Sequence, residues 1–245
     1  MFTPTLVFAI ICIFVAAIVR GFSGFGFSLL AVSALSLVYS PQEIVPTIFM
    51  LEVAASIHLL PSIWKDIHWR SLAPLLVGCL VATPLGVWFL ANLPDRPLQI
   101  ALSVFVLVAT VMLWRGFSLK SMPGTVASTA AGAASGLANG AFGIGGPPVI
   151  LFYFASPAGN IAGRASLIAF FLATDLIGLA NQSTHGLVTK EAALRAVTFL
   201  PPLLAGVWLG ARSFKGVDAE LFRKCVLVIL TVLAVAIGVK AVLAS

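Results

Sequence analysis

Long apolar blocks, divided by short polar runs, recur along the whole 245-residue chain. In the first half they fall at 4–19, 25–40, 44–62, 71–92 and 98–114. In the second half they fall at 122–138, 146–156, 164–181, 192–211 and 219–243. At about 1.5 Å of rise per residue, most of these blocks cross or nearly cross a hydrocarbon core about 30 Å thick when helical. The pattern predicts an all-α polytopic integral membrane protein with about eight to ten transmembrane segments, some broken or re-entrant at glycines. The first block has neither a basic stretch before it nor a small-residue cleavage site, so it reads as a membrane segment rather than a secretory signal.

Composition sharpens this picture. The chain is 60% hydrophobic and 9% charged, with a mean hydropathy of +1.12; a soluble domain, whose outside must face water, cannot hide that much apolar surface. The net charge of +6 sits in short loops, where positive-inside topology explains it better than nucleic acid does. The expected surroundings are membrane lipid. Cys12, Cys79 and Cys225 all lie within apolar blocks and show no CxxC or Cys/His metal spacing, so they read as small buried hydrophobes. No metal, cofactor or disulfide is expected.

The chain also repeats itself. A shift of 119 lays Gly21, Gly24 and Gly26 onto Gly140, Gly143 and Gly145, Thr47 onto Ser166, and Ser56 onto Asp175. After one inserted residue the shift becomes 120, and GVW at 86–88 falls on GVW at 206–208. The repeat predicts an N-terminal half at 1–115, a connecting loop at 116–121 and a C-terminal half at 122–245, together one membrane domain. Residues 4–40 as one helix would measure roughly 55 Å, so the glycine cluster must divide them into two spans or a re-entrant pair. Either choice gives each half an odd number of crossings and inverts the second half. Setting Arg20 and Arg164 aside, the inverted arrangement places eight Lys and Arg residues on one side and four on the other, against seven and five if 4–40 cross once. The inverted version therefore obeys the positive-inside rule better and puts both termini outside the cytoplasm.

The two interruptions read RGFSGFGFS at 20–28 and NGAFGIGGPP at 139–148. Glycines reach positive φ, and Pro147 and Pro148 remove two amide donors and restrict Gly146. Non-helical backbone at membrane depth must be buried in protein or line a wet cavity. Helices starting just after each cluster would turn free N–H groups towards such a cavity, which suits an anion. The alternative is that the glycines serve close helix packing only. A nucleotide-binding fingerprint is excluded, because GFSGFG is not GxGxxG and no P-loop lysine follows.

Ionisable residues inside spans are candidates for function. Arg20 abuts the first cluster and can neutralise an anion, with Ser23 as a neighbouring hydrogen-bond donor, or it snorkels to an interface. Arg164 opens the segment after the second cluster and has the same two readings. Asn139 takes the place of Arg20 in the second repeat. Glu52 and Asp175 lie near mid-span, where a carboxylate either faces a cavity and serves proton coupling or pairs with Arg20 or Arg164. His58 reads as a core histidine, and Asn181 with Gln182 as the cap of a span. With three histidines and eight acidic residues, and no HExxH or GxSxG, an enzyme is not expected.

With both clusters in view, GFSGFGFSLLAVSALSLVYSP at 21–41 and GLANGAFGIGGPPVILFYFASP at 136–157 resemble the sulfite exporter TauE/SafE family of membrane permeases. GRASLIAFF at 163–171 and the two GVW triplets add to the resemblance, which covers nearly the whole chain. It implies a secondary transporter of sulfur-containing anions such as sulfite, thiosulfate or sulfoacetate, in the bacterial cytoplasmic (inner) membrane. It also implies that the duplicated glycine motif forms the passage, here Gly21, Gly24, Gly26, Gly140, Gly143, Gly145, Gly146 and Pro147. The first cluster departs from the continuous glycine run of many members in having Phe22, Phe25 and Phe27 between its glycines.

The reading is a transporter of a small anion by alternating access. Arg20, Ser23, Asn139, Arg164 and the glycine-bounded helix ends would bind substrate, and protons are the candidate coupling ion at Glu52 or Asp175. A passive anion channel of the same architecture and a structural membrane protein are the alternatives.

Overall fold

The computed structural model describes residues 4–115, 123–155, 160–213 and 219–243. The expected loop at 116–121 therefore lies outside the described residues. Ten α-helices are present among them: α1 Pro4–Ser23, α2 Phe27–Leu35, α3 Pro41–Ile63, α4 Trp69–Asn92, α5 Asp95–Arg115, α6 Thr125–Phe142, α7 Gly146–Ala155, α8 Asn160–Thr184, α9 Lys190–Ser213 and α10 Ala219–Leu243. Each apolar block becomes one helix. Seven of the helices are long and apolar enough to cross a membrane by length and composition, and their outward faces carry Val81, Trp88, Val104, Leu194 and Val232 in the open. In water that surface would drive aggregation; in lipid it is solvated. The chain is an all-helical integral membrane protein.

Helix boundaries follow local chemistry. Ser40 caps α3 in a capping box with Glu43, with proline in the first turn, so two orphan donors are satisfied before the helix enters the bundle. α1 and α6 end alike. Gly24 (φ +82°) and Gly143 (φ +68°) take the left-handed conformation, and their N–H groups donate to Arg20 O and Asn139 O, both at 2.7 Å. Glycine adopts that conformation without the Cβ penalty, which is why a lone glycine can stop a helix here.

These two helices run past the expected breaks at 19 and 138, carrying Gly21 and Gly140 inside the helix. The cause is packing. A Cβ at Gly21 would strike the main chain of Val207 in α9, and a Cβ at Gly140 would strike the main chain of Thr83 and Val87 in α4. The α4–α6 crossing continues through Gly78, Gly132 and Gly136, and the α1–α9 crossing through Gly206 and Gly210, each against partner backbone. Small residues let lipid-embedded helices gain dispersion contacts at short range, where no hydrophobic drive acts between them.

The pairings form two matching sets. α4 packs on α6 as α9 packs on α1; α4 meets α8 as α9 meets α3; α5 meets α7 as α10 meets α2. α3 packs on α8, and α5 on α10. Polar ties mark the two ends of the bundle. At one, Arg195 at the start of α9 approaches Glu43 at the start of α3 at 3.8 Å. There Lys240 of α10 donates to Ser36 O, and Gln42 donates to Leu93 O. At the other, the His68 amide at the start of α4 donates to Ser166 Oγ near the start of α8 at 2.9 Å. α3 and α8 consequently run antiparallel.

Gly132 and Gly78 mark the tightest points of the α4–α6 crossing, so Gly132→Ala should force the two backbones apart and cost about 1–3 kcal/mol. A lower melting midpoint in detergent is the expected result; an unchanged midpoint would refute close backbone contact at this crossing.

Candidate functional site

The last turn of α1 carries Arg20 into the centre of the bundle, where it is 0% exposed. A guanidinium at that depth must be paired. Its Nη1 lies 2.5 Å from Glu52 Oε2 of α3, and its Nη2 donates to Ser56 Oγ, one turn further along α3, at 2.7 Å. Phe171 of α8 stands beside it, 5.9 Å from Cζ to ring centroid. Its Nε meets no acceptor among the described residues. Glu52 has a second donor, the backbone N–H of Ser28 at 3.2 Å. Ser28 lies in the first turn of α2, so an N–H of the helix N-terminus expected to meet a substrate anion is taken here by the protein's own carboxyl group.

The second half builds the counterpart. Asn139, at the same place in α6 as Arg20 in α1, donates from Nδ2 to Asp175 Oδ1 at 3.2 Å. Asn139 Oδ1 accepts from the Gly145 N–H at 3.1 Å, and Ser135 Oγ donates to Gly145 O. The Arg20–Ser56 and Asn139–Asp175 pairs thus occupy equivalent positions under the shift of 119. The same shift puts Phe171 opposite Glu52 and Pro147 opposite Ser28. Where no carboxylate stands, the residue that would donate to it has no N–H. Asp175 is 3% exposed and lies within electrostatic range of both Glu52 and Arg20, so one guanidinium and two carboxylates share this interior.

Arg164 stands apart from that pair. It is half-buried at the start of α8, and its Nη2 reaches Gly21 O only at 3.5 Å. Its stem packs where a Cβ at Gly24 would be. No carboxylate pairs with it among the described residues. At the equivalent position α3 has Val45, which packs against Gly143 in the same way.

The glycines divide by role. Gly21 and Gly140 serve helix crossings. Gly24, Gly26 and Gly143 hold positive φ at the two breaks, with Gly26 capping the start of α2. Gly145 is held by Asn139 and Ser135, and Gly146 begins α7 against Ile150 and Phe171, with Pro147 buried beside it. Ser23 folds back, its hydroxyl within reach of Val19 O at 2.7 Å and Phe25 O at 2.8 Å. It fastens the α1–α2 turn. His58 faces outward, unlike the core histidine expected of it. The cysteines are free, and of the three expected to be buried Cys79 is, Cys12 is half-buried and Cys225 is exposed.

Two contributors escaped the reading of side chains: Ser56, visible in the sequence only as the repeat partner of Asp175, and the backbone amide of Ser28. Gln182 also differs from expectation. α8 continues through it to Thr184, and its amide, 0% exposed, caps nothing.

Comparison with known proteins places this architecture. No solved structure matches the chain. A protein of Cupriavidus necator described as a probable sulfite/organosulfonate exporter TauE is 26% identical over 199 residues, covering 78% of this chain and 77% of that protein. The family described as Sulfite exporter TauE/SafE matches residues 9–237, from α1 into α10. The chain belongs to the sulfite exporter TauE/SafE family.

Proposed function

We propose that this chain is a secondary transporter of a small sulfur oxyanion, sulfite or an organosulfonate such as sulfoacetate, in the bacterial cytoplasmic membrane. The observation that carries the reading is the buried Arg20, set between two helix breaks and held by Glu52 and Ser56. The family and the exporter relative support the substrate class.

Guanidinium presents five donors in a planar fork that matches an oxyanion's geometry. In this structure Glu52 and Ser56 take part of that fork. A substrate anion entering the site would displace the Glu52 carboxylate, which then needs a proton to remain in an apolar interior. One guanidinium facing two carboxylates balances in charge when the carboxylates hold one proton between them. Anion binding at Arg20 and proton binding at Glu52 or Asp175 are thereby coupled.

The matching helix pairings, the antiparallel α3 and α8, and the equivalent Arg20–Ser56 and Asn139–Asp175 pairs support two inverted halves, 1–115 and 122–245, that rock about the site between them. The short α2 and α7, each lying next to the helix that precedes it, support re-entrant hairpins in both halves.

Proteoliposomes loaded with sulfite test the assignment. Arg20→Ala should lower saturable flux at least about tenfold, since a charge-assisted contact contributes about 1.5–3 kcal/mol. Wild-type flux absent or equal to that of Arg20→Ala would refute it. Sulfite on the far side should accelerate the exchange of labelled sulfite, which a passive pore does not do. Glu52→Gln keeps an acceptor for Arg20, whereas Glu52→Ala leaves a buried charge unpaired at a cost of about 3–5 kcal/mol. Glu52→Gln should therefore assemble while its flux no longer follows an imposed pH gradient; a preserved response would remove Glu52 from the coupling.

A further inference from the structure

Gln182 is fully buried, yet neither its Nε2 nor its Oε1 meets a partner among the described residues. Its neighbours at the end of α8 are all satisfied locally: Asn181 donates to Ile177 O, Ser183 to Leu179 O and Thr184 to Asn181 O. A buried primary amide left with both ends open is costly and rare unless water or a ligand meets it in some state of the protein. At the same end of the bundle, Gln42 of α3 has a buried Oε1 without a donor.

The position of Gln182 gives that open amide a direction. Arg164, Ile168, Phe171, Asp175, Gly178 and Gln182 recur at intervals of four and three along α8. At about 100° per residue they fall within an arc roughly 80° wide, and 18 residues of rise carry the arc about 27 Å, close to a hydrocarbon thickness. The arc looks onto both helix breaks. Arg164 lies against Gly24, Phe171 beside Arg20 and Gly146, and Asp175 on Asn139. Between Asp175 and Gln182 the arc meets an obstruction. The Phe49 ring, 0% exposed, sits in the notch left by Gly178, where a Cβ would collide with it, and its Cε1 would be 3.3 Å from a Cβ at Gly143.

We infer that this face of α8 lines the transport route, that Phe49 in the Gly178 notch is the gate closing it on one side, and that Gln182 is an anion-contacting station beyond the gate. The inference rests on the transporter reading above. The Gln182 amide offers two N–H donors to an oxyanion or its water shell, uncharged and so weak enough to release it. Arg164, half-buried and paired with no carboxylate among the described residues, marks the opposite mouth.

Two measurements test this. In the native background, Gln182→Leu should melt at the same temperature or higher, because it removes an unsatisfied amide, while sulfite flux in proteoliposomes falls about five- to tenfold. A residue with a merely structural role would show the reverse pattern, and flux within twofold of wild type overturns the inference. In a chain with Cys12, Cys79 and Cys225 replaced by alanine, Gln182→Cys is labelled with membrane-impermeant 2-sulfonatoethyl methanethiosulfonate. It should react about tenfold faster than Leu176→Cys on the lipid-facing side of the same helix, and faster again when Phe49→Leu thins the gate. Equal rates at 182 and 176 in both backgrounds overturn the inference. Fast labelling at 182 in a protein that carries no sulfite keeps the route and overturns the substrate assignment instead.

Discussion

The contact on which the rest of the interior depends is the ion pair between Arg20 and Glu52. In a bundle whose other central residues are mostly Leu, Val, Ala, Phe and small hydroxyls, a lone guanidinium or carboxylate would be intolerable. Together they hold three elements in register: the last turn of α1 through Arg20, the middle of α3 through Glu52 and Ser56, and the first turn of α2 through the Ser28 amide. The break between α1 and α2 is thus stabilised from across the bundle. Its geometry comes from Gly24 and Gly26, and its position from a charge pair.

The second half builds the matching contacts without a cation. Asn139 spans Asp175 and the Gly145 amide, doing with one amide what Arg20, Glu52 and the α2 N-terminus do with two charges. The helix pairings of the two halves match, while the chemistry is divided between them: cation and paired carboxylate on one side, a second carboxylate and a carboxamide on the other. Arg164 in place of Val45 extends that inequality towards one end of the bundle.

Much of this was legible beforehand. Ten apolar blocks became ten helices, because in lipid a long apolar run has little choice but to satisfy its backbone as a helix. Arg20, Glu52, Asn139 and Asp175 stood out since polar groups at mid-span are conspicuous. The glycines were legible as a pattern and illegible as roles: whether Gly21 serves a crossing and Gly24 a turn depends on α9 and on φ, and neither is written in the local spacing. The ends of α1 and α6 were misjudged for the same reason, since a helix that packs its glycines against another backbone does not break at them. Gln182 looked like a cap because it stands near the end of an apolar block, and only tertiary burial shows otherwise.

The pairing of α1 with α9 and of α4 with α6 has a consequence for how such a protein is made. α1 finds its glycine-matched partner in α9, almost 200 residues later in synthesis. Until α9 enters the membrane, the Gly21 face of α1 meets only lipid or the insertion machinery. α4 and α6, by contrast, meet almost as soon as both have been made. The Gly21 face of α1 is therefore covered late, although Arg20 beside it meets Glu52 and Ser56 of α3, which are made soon after it.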